Sequence, residues 1–309
     1  LKQEVWADEP VVERGTQVCK VHARTDVFRD FRATEEQEAM LALMMPMSTL
    51  SGFIRNSSDP SCLQLASCIY VNPGTLGWIG ELASWVVMIQ NIEAYARCSM
   101  GVDGIGAVDA SFHPDTGPRE DPDEMTGLIQ DVVLPEGRKG NPWTGSEMEE
   151  LLQSLQSEPV VLATGDREGF TAEFPCHGRT SMLRFQTDVN PQLGEGLLTT
   201  LSLPEEPDQA ATRALELNES ELAAFTGSHF LGSWCKSPTN GCTSFVSFLP
   251  NVMYKPGMLM IAYMAHHLRA RWFAQDLLGD DWENGGYERA VQHKLAMLQL
   301  MRERFGREQ

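Results

Sequence analysis

The chain has 309 residues, is 42% hydrophobic and carries a formal net charge of -19, with a pI near 4.7. That length suits roughly two domains of ~150 residues each, and the apolar share is enough to build real cores. So acidic a surface repels phosphate backbones and anionic membranes, which argues against nucleic acid and membrane partners and for proteins with basic or amphipathic segments.

In chain order, residues 15–25 alternate as a strand does. Thr34 then opens a helix that runs to about residue 45, with Gln37 at the capping-box position. Strands over 50–55 and 63–71 flank a turn of Asn56, Ser57, Ser58, Asp59, Pro60 and Ser61, which predicts a hairpin. Pro73-Gly74 breaks the chain, and a helix over 76–95 follows. Trp78, Leu82, Trp85, Ile89 and Ile92 form one apolar stripe of that helix, and Leu76, Ile79, Ala83 and Val86 a second. Two apolar faces require packing on two sides.

Residues 99–143 hold five of the 17 prolines and the run Arg119-Glu120-Asp121-Pro122-Asp123-Glu124, so a long connector without regular structure over 112–126 is expected. Within it, 128–134 is apolar enough for a short clip-on strand. Beyond the connector, Ser146 is placed as the N-cap of a helix to about 156. Strands over 160–163 and 170–174 flank a turn at 164–169, and strands over 181–187 and 196–203 come next. Asn218 reads as the cap of a helix to 225, followed by a hairpin of 231–236 and 243–249 and a helix over 258–278. A last helix is predicted over 287–305, with Val291, Leu295, Leu298 and Phe305 on one face.

The chain repeats itself. Gly52 falls on Gly232, Cys62 on Cys242 and Ser67 on Ser247 without a gap, and after three extra residues Pro73-Gly74 falls on Pro256-Gly257. The apolar stripe of the first long helix returns as Ile261, Ala265, Leu268 and Trp272. The expected fold is therefore α+β: two tandem related domains, each an antiparallel sheet packed with helices, plus a C-terminal helix. The divisions are a first domain at 1–98, a connector at 99–143, a second domain at 144–279 and a helical extension at 280–309. Trp78, Trp85, Phe245, Phe248, Leu268 and Trp272 are expected in the cores.

The order of helix, strands, helix, hairpin and final helix, with Phe245-Val246-Ser247-Phe248-Leu249-Pro250 leading through Pro256-Gly257 into Met258-Leu259, resembles that of type III secretion chaperones and the related YbjN-like domains. The resemblance spans 144–279 fully and 1–98 in part, because the opening helix is missing from the first copy. It implies small, acidic, dimeric domains that bind protein segments and catalyse nothing.

Motifs for catalysis are sparse. The sequence has no P-loop, no H-E-x-x-H, no nucleophile elbow and no EF-hand loop, and Gly104-Ile105-Gly106 lacks the third glycine of a dinucleotide site. Asp276 to Glu283 is acidic but fails the calcium spacing. His266 and His267 are adjacent on a helix, about 100° apart, which is the wrong geometry for ligating one ion. Cys176-His177 has no evident third group to orient a base. Seven scattered cysteines without a C-x-x-C pair read as thiols in a reducing compartment. The chain starts at Leu1 and shows no signal peptide, which suggests processing and fits cytoplasm or an organelle matrix or stroma after removal of a transit peptide. No segment is apolar enough to span a membrane.

These features favour a non-enzymatic, protein-binding adaptor or chaperone-like subunit that needs no cofactor or metal. Its partner-binding residues are expected at Trp78, Glu81, Trp85, Glu93, Ile261 and Trp272. The alternatives are a structural linker subunit of a large, organellar complex, and an enzyme with an inter-domain cleft using His266 or Cys176.

Overall fold

The computed structural model describes residues 2–13, 15–99, 141–158, 161–176, 179–206, 209–224 and 226–279, with the backbone of 106–107, 112–113 and 117–118. The first half runs β1 (Gln3–Ala7), β2 (Val11–Glu13), β3 (Thr16–Arg29), α1 (Glu35–Met44), β4 (Gly52–Arg55), β5 (Leu63–Val71) and α2 (Ile79–Ser99). Three two-residue strands follow: β6 (Gly106–Ala107), β7 (Phe112–His113) and β8 (Gly117–Pro118). The second half runs α3 (Ser146–Ser157), β9 (Leu162–Asp166), β10 (Gly169–Cys176), β11 (Arg179–Asn190), β12 (Gly194–Ser202), α4 (Ala210–Ala223), β13 (Ser233–Lys236), β14 (Thr243–Pro250) and α5 (Met258–Trp272), which ends in a π-helical turn. No helix among the described residues is long and apolar enough to cross a membrane.

The architecture is α+β, with two antiparallel sheets. The strand order β1-β3-β5-β4 of the first matches β11-β12-β14-β13 of the second, which adds β10 and β9 at its edge. Pairing within the sheets corrects the repeat by one residue. Gly52 pairs with Ala66, and the partner of Val246 is Ser233. Since Ser67 and Ser247 correspond, Gly52 corresponds to Ser233, so the second hairpin is one residue shorter in its turn. Gly232 stands just before β13 at φ +145°, where an added Cβ would come within 2.3 Å of the Val246 carbonyl oxygen. Gly52 is needed for another reason: a Cβ there would lie 2.9 Å from Asn218 and Phe230, in the other half.

Local chemistry explains most element ends and corrects several expected ones. Thr34 caps α1 by accepting from Gln37 N–H. Gln37 does not complete the box. It is buried, accepts from Arg32 N–H and donates to the Asp30 carbonyl, holding a turn in which Asp30 and Ala33 have positive φ. The N-cap of α3 is Gly145 rather than Ser146. Asn218 lies inside α4, not at its start. The connector is also more ordered than expected: β6 pairs with the end of β3, β7 pairs with β8 at 112–113 and 117–118, and Trp143 is fully buried. The rest of 112–126, the expected strand at 128–134 and the helix at 287–305 lie outside the described residues.

One continuous apolar cluster runs through both halves. Phe245, Phe248 and Trp272 are buried in it, while Trp78, Trp85 and Leu268 are only half-buried. The buried line of α2 is instead Ile79, Leu82, Val86, Ile89, Gln90, Glu93 and Arg97. Its polar members bond inward to the sheet and to the 47–49 loop, so the apolar stripes misplace the helix by a fraction of a turn. Met44 and Met45 fill the core as ordinary apolar residues.

The halves join through reciprocal contacts. Cys68 N–H donates to the Phe230 carbonyl at 3.0 Å, and Phe248 N–H donates to the Thr49 carbonyl at 3.0 Å. In the corrected register Cys68 corresponds to Phe248 and Thr49 to Phe230, so each contact is the other with the halves exchanged. That is the signature of an isologous interface, here within one chain.

Candidate functional site

Polar and titratable groups gather in two places where the halves meet. The first is interior. Arg269 of α5 and Glu221 of α4 form an ion pair with both side chains 1% exposed, the Nε donating at 2.8 Å. Arg269 also donates to the His229 carbonyl and lies 3.5 Å from the centre of the Phe245 ring. Trp234 Nε1 donates to the other Glu221 oxygen at 2.7 Å. Nearby, Thr199 donates to the Ser247 carbonyl and therefore accepts from His266 Nε2 at 2.7 Å. A cavity of about 30 Å³ touches His266, Arg269, His229, Leu82 and Ile261. That volume holds a water or two and is far smaller than a metabolite site.

The second is a groove of about 460 Å³ on the surface. Its walls come from both halves: Arg24 of β3, Ile54 and Arg55 of β4, Pro60 of the following turn, and Glu219 and Leu222 of α4. Period-2 alternation puts Lys20, His22 and Arg24 on one face of β3, towards the end of α4. Lys20 Nζ donates to the Leu222 and Ala224 carbonyls at 2.9 and 2.7 Å, a cation on a helix C-terminus. His22 Nε2 meets Asp8 at 2.9 Å. Arg55 is bound to Glu219 by its backbone N–H and by two guanidinium bonds of 2.8 and 2.7 Å. With Asn218 donating to the Phe53 carbonyl, α4 thus covers the free edge of β4.

The six residues expected to bind a partner do not form one open face. Glu93 is buried: it accepts from Thr49 through both oxygens and lies 3.6 Å from Arg97, and burial raises its carboxyl above the ordinary range. Trp272 is buried beside Trp234, with ring centres 6.4 Å apart. Ile261 lines the small cavity together with Leu82 of the buried line of α2. Glu81 is paired with Lys255 across the halves. Trp78 and Trp85 lie half-buried against the core. Sequence reasoning missed Arg24, Arg55, Asn218, Glu219 and Glu221. Only the alternating Lys20, His22 and Arg24 left a readable trace.

The other chemical candidates are structural in position. His266 is enclosed, and His267 packs against Phe174 and Tyr263. Cys176 is buried at the end of β10, and His177 lies outside the described residues. Burial pushes the thiols of Cys68 and Cys235 up to about 12, far from a thiolate nucleophile at neutral pH. Among the described residues no three His, Cys, Asp or Glu side chains cluster as metal ligands would.

Burial, then the Arg269 charge, pushes His229 down to about 4 and His266 well below its ordinary value. His229 Nδ1 accepts from Tyr70 N–H, so a second ring proton would break that bond. His267 and His22 are also lowered, in each case chiefly by burial. The unfolded chain therefore binds protons that the folded one refuses. Below pH ~6.5 each ring withdraws up to about 1.4 kcal/mol of stability per pH unit, until its own folded pKa is passed. The raised Glu93 acts in the opposite sense over the carboxylate range. Urea melts at pH 7, 6 and 5 should show stability falling with pH. His229→Gln, which keeps an acceptor for Tyr70, should flatten the slope. An unchanged slope would show that His229 is accessible to protons in the folded state.

No protein-family model matches this chain, and no curated protein or solved structure matches it either.

Proposed function

We propose that this protein is a non-catalytic binding subunit, in which two chaperone-like α+β halves in one chain hold a segment of a partner protein. The observation that carries this reading is the groove of about 460 Å³ built jointly by β3, β4, the turn after it and α4. It is a place where an open concave surface, apolar walls and charge coincide, as ligand sites do, and its walls come from both halves. The order of helix, hairpin, Pro-Gly break and helix supports the chaperone-like comparison, and the acidic surface suits a soluble protein-binding role.

Ala223 is exposed and lines the groove, so Ala223→Trp fills it without disturbing the core. Cross-linking followed by mass spectrometry on the native complex should place a stoichiometric partner on residues 54–60 and 219–223, and the variant should lose it at an unchanged melting temperature. A partner retained by Ala223→Trp and cross-linked to α2 instead would move the site. A catalytic turnover lost in His266→Ala, with the fold intact, would replace this reading with that of an enzyme.

A further inference from the structure

We propose that Arg24 makes the groove a receptor for a carboxylate-bearing stretch of polypeptide, an acidic side chain flanked by apolar ones. The inference rests on the binding reading above and adds the chemistry of what is bound.

Arg24 differs from the exposed cations that also lack an ion pair among the described residues, such as Arg29, Arg184 and Lys236, in having its Nε buried. Acidic residues outnumber Lys and Arg by 43 to 24, so carboxylates are abundant. The other two basic residues of the same β3 face are engaged, Lys20 by helix carbonyls and His22 by Asp8. Arg55, across the groove, already has a carboxylate partner in Glu219. The Arg24 side chain makes no hydrogen bond and no ion pair among the described residues. Its Nε is sealed from solvent without an acceptor. Its guanidinium lies 4.9 Å from the ring centre of Trp6, which itself stacks on His22 at 5.0 Å. Trp6 thus orients a planar fork and leaves its outer edge for a ligand. Burial holds the guanidinium's pKa below its ordinary value although the Asp8 and Glu4 carboxylates act on it from nearby, the direction expected of a cation kept partly out of water and not hydrogen-bonded to either of them.

The geometry selects the ligand. A guanidinium fork fits a carboxylate through two parallel bonds. Ile54, Leu222 and Pro60 give apolar wall beside it, and the volume exceeds what one carboxylate needs. A carboxylate with apolar neighbours fits both. The chain's overall negative field opposes acidic molecules at long range, so recognition depends on this local cation and not on steering.

The probe is an acetylated, amidated hexapeptide with Leu-Glu-Leu at its centre, compared with its Gln counterpart. Binding is followed by calorimetry and by the Trp6 indole resonance of the intact chain. The Glu peptide should bind saturably and at least tenfold more tightly than the Gln peptide. Arg24→Gln should lose that tenfold preference, and Arg24→Lys, which keeps charge but not the fork, should fall between. Both variants should melt as the parent does. Equal binding of the two peptides, an undiminished preference in Arg24→Gln, or inorganic phosphate displacing the peptide at equal concentration would each overturn the proposal. If the native partner still cross-links to the groove while Arg24→Gln changes nothing, the ligand chemistry is wrong and the binding reading stands. If the native partner cross-links elsewhere, the binding reading itself falls.

Discussion

Replacing Glu221 with Ala should destabilise the protein by about 3–5 kcal/mol, the cost typical of stranding one member of a buried ion pair. The variant would leave the Arg269 guanidinium enclosed with only the His229 carbonyl and the face of Phe245, and would orphan the Trp234 indole N–H. The double variant Glu221→Leu with Arg269→Met should recover at least ~1 kcal/mol relative to the sum of the two single losses, because neither charge is then left unpaired. Urea unfolding followed by tryptophan fluorescence measures both, provided the dependence on urea stays constant across the set. A loss below ~1 kcal/mol in Glu221→Ala would mean that water reaches the pair and that this region opens readily.

The second large effect is expected at Asn218. Its side chain is fully buried and bridges the two sheets, donating to the Phe53 carbonyl at 2.9 Å and accepting from Trp234 N–H at 2.9 Å. Phe53 and Trp234 are equivalent residues of the two halves, so one amide links corresponding points on both edge strands. Asn218→Leu keeps the branched shape with somewhat more bulk and leaves two buried backbone groups without partners, at about 1–3 kcal/mol each. Asn218→Asp should be worse still, since its carboxylate would face the Phe53 carbonyl. Hydrogen exchange should show the Trp234 amide losing protection first. If Asn218→Leu melts like the parent, the edges are held by the backbone contacts at Cys68 and Phe248 alone.

Asn218 also shows where sequence reading stops. A polar residue ahead of Glu-Ser-Glu-Leu has the look of a helix cap, and only the approach of two strands from both halves reveals an interior bridge. The match of Ser67 with Ser247 pointed to two sheets of the same strand order, because strand, turn and Pro-Gly break are local signals with local causes. The one-residue slip at Gly232 came from matching glycines that serve different ends, a positive φ in one case and a close approach in the other. Trp78 and Trp85 looked like core because aromatic side chains at helical spacing do so. The sheet instead chose the line through Gln90, Glu93 and Arg97, whose polar groups find partners on Thr25, Ser67, Thr49 and the Met47 carbonyl. No composition rule anticipates such pairings. Arg24 was legible only as every second residue of a basic row, and its lack of a hydrogen-bonded counter-ion is a fact of three dimensions.

The joining of the two halves in one chain has a consequence for stoichiometry. The ladders place Ala23 opposite Ser67 and Thr199 opposite Ser247, so Lys20, His22 and Arg24 correspond to Gly196, Leu198 and Thr200. Two identical subunits would have to carry the basic row twice, on opposite sides of their axis. A single chain is released from that symmetry: one half keeps the charged row, and the other has small and apolar residues in its place. Whatever occupies that face does so once per molecule and in one orientation, and this arrangement does not weaken on dilution as a two-chain assembly would.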